Sequence, residues 1–420
     1  MKSKYMIDTK ENREFLRNNA QALLDFGRRF PSPGGSSYYL SDDGTPWKEK
    51  NRETWISCRM THVYSIGTMM RDAGSRELAE AGLRGLLGEL RDKENGGWYA
   101  ALTSAGDIVP SKQCYAHAFV ILAATSAALA GLDKADTLLN DALDIYDKKF
   151  WDEDKGLAYD TWNTEFSVLD DYRGINANMH SVEAFLAAAD TLGDAGEKYR
   201  IRAGRIIDHV IGWAKENNYR IPEHFTSDWL PDLDKNREKP DDPFKPYGAT
   251  PGHGIEWARL ISQWACSVND FKNNAYAAAG EYIKDACRLY DRAVADAWNA
   301  DGAPGIVYTT DWNGKPVVHD RMHWTLAEAI NTSAVLYRIT NEKKYADNYA
   351  GFMTYLDTTV LDHSCGSWFH QLDEHNRLKE TVWPGKSDLY HAIQAMLIPY
   401  AKCGVSIAKA IQADPVYKDL

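Results

Sequence analysis

The chain has 420 residues, 44% hydrophobic and 26% charged, with a net charge of −12. Length and composition suit a soluble globular protein with a large core. The acidic balance argues against a nucleic-acid partner, and no apolar run approaches the about 18 residues that would span a membrane.

Helical periodicity predicts twelve helices in chain order, over 10–28, 51–73, 77–91, 112–130, 133–150, 177–192, 195–216, 252–270, 273–298, 323–340, 342–359 and 387–411. Aromatic and Gly-rich segments between several of them read as β-hairpins. Examples are Gly96-Gly-Trp-Tyr-Ala with Ala105-Gly-Asp, Gly305-Ile-Val-Tyr with Trp312-Asn-Gly-Lys, and Ser367-Trp-Phe-His-Gln with Asp373-Glu-His-Asn. The loop at 226–246, rich in Pro and Asp, is expected to cover part of a cleft.

The helices that follow these segments begin near 51, 112, 177, 252, 323 and 387. Similar spacing through the whole chain predicts one repeat architecture rather than separate domains. One helix set is rich in small residues, as in Ala184-Phe-Leu-Ala-Ala-Ala189, and the other is amphipathic. Two layers in six pairs predict an all-α (α/α)6 barrel, a single catalytic domain over residues 1–420 with short β-hairpins at one end. An open solenoid of helix pairs is the competing architecture.

The cysteines at 58, 114, 266, 287, 365 and 403 show no C-x-x-C spacing and lie mostly in helical runs. They read as reduced thiols, and with an N-terminal stretch lacking an apolar core they predict a cytoplasmic protein.

Two histidines open two different helices after similar turns: His253 in Ala249-Thr-Pro-Gly-His and His391 in Trp383-Pro-Gly-Lys-Ser-Asp-Leu-Tyr-His. Imidazole gives and takes protons near neutral pH, so two in one cleft suit a reaction that moves protons to and fro. In a closed ring, the other inner-helix starts bring Trp55, Arg59 and His62; Lys112, Tyr115 and His117; Asn176, His180 and Glu183; Glu256; Arg321, His323, Trp324 and Glu328; and Trp383 and Asp388 to the same end. Nine of the twelve histidines fall at these starts or in the adjoining hairpins. Helix N-termini there favour a developing oxyanion. Glu256 is expected to orient a neighbouring histidine. No H-E-x-x-H, Cys pair, Walker loop or G-x-S-x-G appears, so neither a metal nor a nucleotide cofactor is expected. The 14 Trp and 23 Tyr suit stacking on sugar C–H faces.

Trp55-Ile-Ser-Cys-Arg-Met-Thr-His, Gly96-Gly-Trp-Tyr, Ser111-Lys-Gln-Cys-Tyr-Ala-His, Asn176-Ala-Asn-Met-His-Ser-Val-Glu, Gly248-Ala-Thr-Pro-Gly-His-Gly-Ile-Glu-Trp and Lys386-Ser-Asp-Leu-Tyr-His together resemble the N-acylglucosamine 2-epimerase superfamily. The likeness runs from about residue 14 to 400 and is greatest to the aldose–ketose isomerase branch, which includes mannose and sulfoquinovose isomerases. It implies an (α/α)6 barrel without metal or redox cofactor. It also implies proton transfer between C1 and C2 of a sugar through a cis-enediol. Carried over, His253 and His391 are the acid–base pair and Arg59 holds the enediolate. Tyr115, Asn176, His180, Glu256, Trp324 and Trp383 line the sugar pocket, with Trp55 and Asp388 beside them. A sulfoquinovose isomerase, a 2-epimerase using His180 as well, an inverting glycosidase and a glycan-binding toroid stay open, as does the oligomeric state.

Overall fold

A computed structural model describes residues 4–269 and 275–414. Its helices are α1 (Lys10–Gly27), α2 (Thr54–Met69), α3 (Ser75–Leu87), α4 (Cys114–Leu129), α5 (Ala135–Lys149), α6 (Ile175–Leu192), α7 (Glu197–Glu216), α8 (Pro251–Asn269), α9 (Ala275–Ala297), α10 (His323–Thr340), α11 (Lys343–Tyr355), α12 (Tyr390–Leu397) and α13 (Ile407–Ala413). No described strand exceeds three residues. No described helix is long and apolar enough to cross a membrane.

The two helix sets bury themselves differently. From Cys114 to Ala127, α4 is buried on every side except at Tyr115, whereas α5 buries one stripe, Leu138, Leu139, Ala142, Leu143 and Tyr146. A helix apolar all round belongs inside, and a striped one belongs at the surface. The inner helices pack in the order α2–α4–α6–α8–α10–α12, and α12 returns to α2. The ring is therefore a closed (α/α)6 barrel, not an open solenoid. The outer helices α3, α5, α7, α9 and α11 each cover the inner helix before them, while N-terminal α1 covers α12. Burying Leu16, Leu23 and Leu24 of α1 contributes about 1.5–3 kcal/mol each.

Backbone bonds stitch each inner-helix start to the next unit. The amide of Thr54 donates to Ala100 O (3.0 Å), Cys114 to Asp160 O (2.8 Å), Ile175 to Glu223 O (3.1 Å), Ala249 to Thr310 O (2.9 Å) and His323 to His370 O (3.0 Å). Lys386 N to Leu40 O (2.9 Å) completes the circle. Two-stranded pairings carry several stitches, for example Arg173–Gly174 with His224–Phe225 and Arg321–Met322 with Gln371–Leu372. The bonds from Thr54, Cys114, Ile175 and His323 satisfy amides that a helix start leaves orphaned, and all of them gather the hairpins at one end.

Helical spacing of three to four residues then stacks inward side chains in tiers. Arg59 and His62 follow one another on α2, Phe119 and Leu122 on α4, His180 and Glu183 on α6, Glu256 and Arg259 on α8, and His391 and Gln394 on α12.

The helix predicted over 387–411 is two. Residues 387–389 precede α12 as a loop. Pro399 has no amide to donate, and the chain leaves the helix through a 3-10 turn at Ile398–Tyr400 before α13. Helix α13 packs across α2, α4 and α6.

Two buried lysines clamp two equivalent turns. Lys112 Nζ donates to Asp92 Oδ2 and Gly96 O, both at 2.7 Å. Lys386 Nζ donates to Asp362 Oδ2 (2.6 Å), Gly366 O (2.7 Å) and Asp42 O (2.8 Å). Burial opposes charge on both aspartates, but the lysines and turn amides hold each well below the usual carboxylate range. Removing one partner of such a buried pair costs about 3–5 kcal/mol. Lys386→Met is expected to lower unfolding free energy by that amount in urea titration. Adding Asp362→Asn should recover part of the loss.

Candidate active site

Helix α8 opens on Pro251, whose missing amide costs nothing at the first helical position. The Thr250 carbonyl accepts from the amides of His253 (2.9 Å) and Gly254 (3.2 Å). Gly252 makes room for the indole of Trp324: a Cβ there would lie 2.8 Å from that ring. The His253 and Trp324 rings consequently sit 4.9 Å apart. His253 Nδ1–H donates to Glu223 Oε2 (2.9 Å). Glu223 is fixed because its own carbonyl accepts from the Ile175 amide in the stitch to α6.

His391 lies on the first turn of α12 and is buried, with Nδ1–H donating to Glu328 Oε1 (3.1 Å). The other oxygen of Glu328 accepts from Arg259 Nε (2.7 Å). Burial raises the Glu328 pKa and Arg259 opposes that rise; as a carboxylate Glu328 can only accept, which puts the imidazole proton on Nδ1 and leaves Nε2 a lone pair. The same proton placement follows at His253 from the Glu223 carboxylate. Among the described residues, no protein group meets either Nε2. Burial, then the charges of Arg59 and His323, push the His391 pKa well below 6.5, outweighing Asp388.

Trp324 joins the two histidines into one site: its ring is 4.9 Å from His253 and 6.0 Å from His391. Arg59 lies with its guanidinium 4.7 Å from the Trp55 ring, 4.6 Å from Phe119 and 4.7 Å from Tyr390. It donates to Asp388 Oδ2 (3.2 Å) and Tyr115 OH (2.9 Å), and its Nε–H is buried without a protein partner. Trp55 meets Trp383 edge to face at 5.6 Å, and Tyr115 meets His180 at 5.1 Å. Asn176, on the first turn of α6, has a buried Oδ1 without a protein partner. The eleven residues singled out in the sequence thus fall on one end of the barrel, on all six inner helices and the loop leading into α12.

Asp388 stands behind Arg59, with its other oxygen accepting the Tyr390 amide (2.9 Å). Burial works against its charge, but Arg59 holds its pKa down. Glu256 orients no histidine through a hydrogen bond, contrary to the expectation from sequence. It faces Arg259 Nη2 (3.4 Å), while burial and then Glu328 raise its pKa well above 4.5. The carboxylates that hold the histidines are Glu223 and Glu328. Glu223 sits in the extended segment just before the strand His224–Phe225, where helical periodicity gives no signal. Arg259 was overlooked, although three residues beyond Glu256 is the same helix face. His180 Nδ1 faces Glu183 Oε2 (3.4 Å), and Tyr390 OH also donates to Glu183. His180, Glu183 and Glu256 bring ligand atoms within 4.8 Å of one another. Arg259 lies among them, 3.4 Å from Glu256 and 3.9 Å from Glu183.

Other histidines flagged by position do different work. His117 accepts from the Trp98 amide (3.1 Å) and is structural. His319 pairs with Asp301 at the surface, and His323 stacks on His370 at 3.7 Å.

A closed α/α ring that turns two carboxylate-held imidazoles, one arginine and an aromatic wall toward a single space is an α/α barrel with an acid–base pocket. The family model for N-acylglucosamine 2-epimerase (GlcNAc 2-epimerase) matches residues 34–395, and the chain belongs to that family. It is 40% identical over 401 residues to a D-mannose isomerase of Pseudomonas cannabina pv. alisalensis, covering 95% of each chain. It is 39% identical over 403 residues to a D-mannose isomerase of Thermobifida fusca, covering 95% of this chain and 97% of that protein. A crystal structure of a D-mannose isomerase superposes with a TM-score of 0.84 at 27% identity, covering 93% of this chain and 98% of that one.

The geometry yields a prediction independent of turnover. In 15N-histidine NMR spectra, His391 is expected to be neutral and protonated on Nδ1 at pH 6.5. An imidazolium signal for His391 at that pH would contradict the reading.

Proposed function

We propose that this protein is a D-mannose isomerase, interconverting D-mannose and D-fructose through a cis-enediol, with residues 1–420 acting as one catalytic domain. The observation that carries the reading is the pair of imidazoles, each held at Nδ1 by a carboxylate and both bordering Trp324. The D-mannose isomerase relatives at 39–40% identity supply the substrate and reaction.

In the scheme, the pyranose enters past Trp55, Trp383 and Trp324, whose rings suit its C–H faces. His253 Nε2 takes the C1 hydroxyl proton and delivers it to the ring oxygen as the bond from C1 to that oxygen breaks, opening the sugar to the aldehyde. His391 Nε2 then takes the C2 proton, and the electron pair moves through C1–C2 onto O1. The resulting enediolate carries its charge beside Arg59 and the inner-helix N-termini. His391 returns the proton to C1 on the same face while the O2 proton passes to O1, giving the ketose. Tyr115, Asn176 and His180 bind hydroxyls, and Glu256 and Asp388 set the charge around them.

A general base contributes about 10²–10⁴-fold to rate. His391→Ala is expected to lose at least about a hundredfold in kcat for mannose, with circular dichroism and melting little changed; unaltered turnover would refute the assignment. The base must be neutral to act, and burial disfavours its charged form. The acid limb of kcat/KM should therefore lie below pH 6.5, with activity lost only as pH falls through the lowered value. His180, held by Glu183 in a third His–carboxylate contact, favours a second reading, a 2-epimerase returning the proton to the other face of C2. Turnover of mannose deuterated at C2, followed by NMR, separates them: label carried to C1 of fructose fits the isomerase, and glucose as the product fits the epimerase.

A further inference from the structure

A second cavity lies on the barrel axis beyond the sugar pocket, away from the hairpins. His62, Glu183, Arg259 and Gln394 line it from the inner helices, and residues 401–408 line its far side, ending at exposed Lys402. About 40 Å³ of it is open to water centres, room for roughly three waters at about 10–15 Å³ each.

Two residues that line it each carry a buried atom without a protein partner, His62 Nε2 and Gln394 Oε1, and both residues are fully buried. Their chemistry can be worked out. Ser126 Oγ donates to Leu122 O (3.0 Å), so it accepts from His62 Nδ1–H (2.7 Å). Burial keeps that imidazole neutral, so Nε2 is a bare acceptor. The Gln394 amide donates through Nε2 to Glu183 Oε1 (3.4 Å); flipping it would set oxygen against carboxylate, so Oε1 is also an acceptor. A site with two unanswered acceptors needs donors, and the adjacent Arg259 disfavours a cation.

We propose that this axial cavity is a built site for a small cluster of bound water, which donates to His62 Nε2 and Gln394 Oε1 and solvates the Glu183–Arg259 pair from behind. Glu183 is the wall shared by the two chambers: its carboxylate receives Gln394 on one side and His180 and Tyr390 on the other. His62 and Gln394 are thus positioning residues that act through Glu183 on His180. The hydration site stands without the proposed isomerase activity; its effect on turnover rests on it.

A high-resolution crystal structure of the unmodified protein, grown without ammonium salts, tests the site. Ordered waters within hydrogen-bond distance of both acceptors are expected. A dry or collapsed cavity, or an organic molecule or cation there, overturns the proposal whatever the enzyme's activity. His62→Phe should expel the water, shift the 15N titration of His180, and lower kcat for mannose about tenfold with KM little changed, the size of one lost hydrogen bond. His62→Gln, which keeps an acceptor, should restore both. If His62→Phe does not fold, Gln394→Met carries the same readouts. An unshifted His180 titration in the folded variant refutes the positioning role.

Discussion

Everything at the open end depends on the backbone stitch between neighbouring units. Each inner helix, at its first residue or in the turn just before it, donates a backbone amide to a carbonyl of a neighbouring unit. That bond does two jobs at once. It satisfies a polar group that would otherwise be buried unpaired at a cost of about 1–3 kcal/mol, and it fixes the angular position of one helix start relative to the next. Six such bonds round a ring leave little freedom for the first-turn side chains. Glu223 shows the consequence: the residue whose carbonyl holds α6 is the one whose carboxylate holds His253. Fold closure and imidazole orientation are the same constraint read at backbone and side chain.

Charge is the second constraint. Three buried glutamates, 183, 256 and 328, surround a single buried Arg259. One guanidinium cannot support three carboxylates in a poorly polarisable interior, so the members part company. Glu183 gathers donors from His180, Tyr390 and Gln394 and stays ionised, whereas Glu256 is pushed up. Arg59 resolves a similar conflict above them by pairing with Asp388 while three aromatic faces enclose it. Each ring adds about 0.5–2 kcal/mol of attraction without supplying a competing acceptor. The cation therefore remains available to an oxyanion.

Much of this was legible in the sequence because its signals are periodic or local. Small-residue helices at regular spacing gave the barrel, and turns ending in Thr250-Pro-Gly and Ser387-Asp placed His253 and His391 at helix starts. What escaped was set by contacts distant in sequence. Glu223 reaches His253 across thirty residues from an extended segment. Glu328 was noticed, but its partner His391 lies sixty-three residues on. Lys112 looked like a pocket residue by position, and only the fold shows it spent on Asp92. The single helix drawn over 387–411 ignored Pro399, whose cost in a helix interior is about 3 kcal/mol.

The two histidine sockets share one design and differ in one variable. Both rings give Nδ1–H to a carboxylate, and among the described residues neither Nε2 has a protein partner. The His253 side chain keeps 13% of its surface exposed, and His391 keeps 5%. Water can reach the first, so a proton lent to a departing ring oxygen can be replaced from solvent. The second is walled by Trp324, His323 and Tyr390, so a proton it lifts from carbon has few places to go except back to the substrate. Ring opening needs the exchanging group and a C2-to-C1 transfer needs the secluded one. The difference in burial, more than the identity of the residues, supports giving the carbon proton to His391.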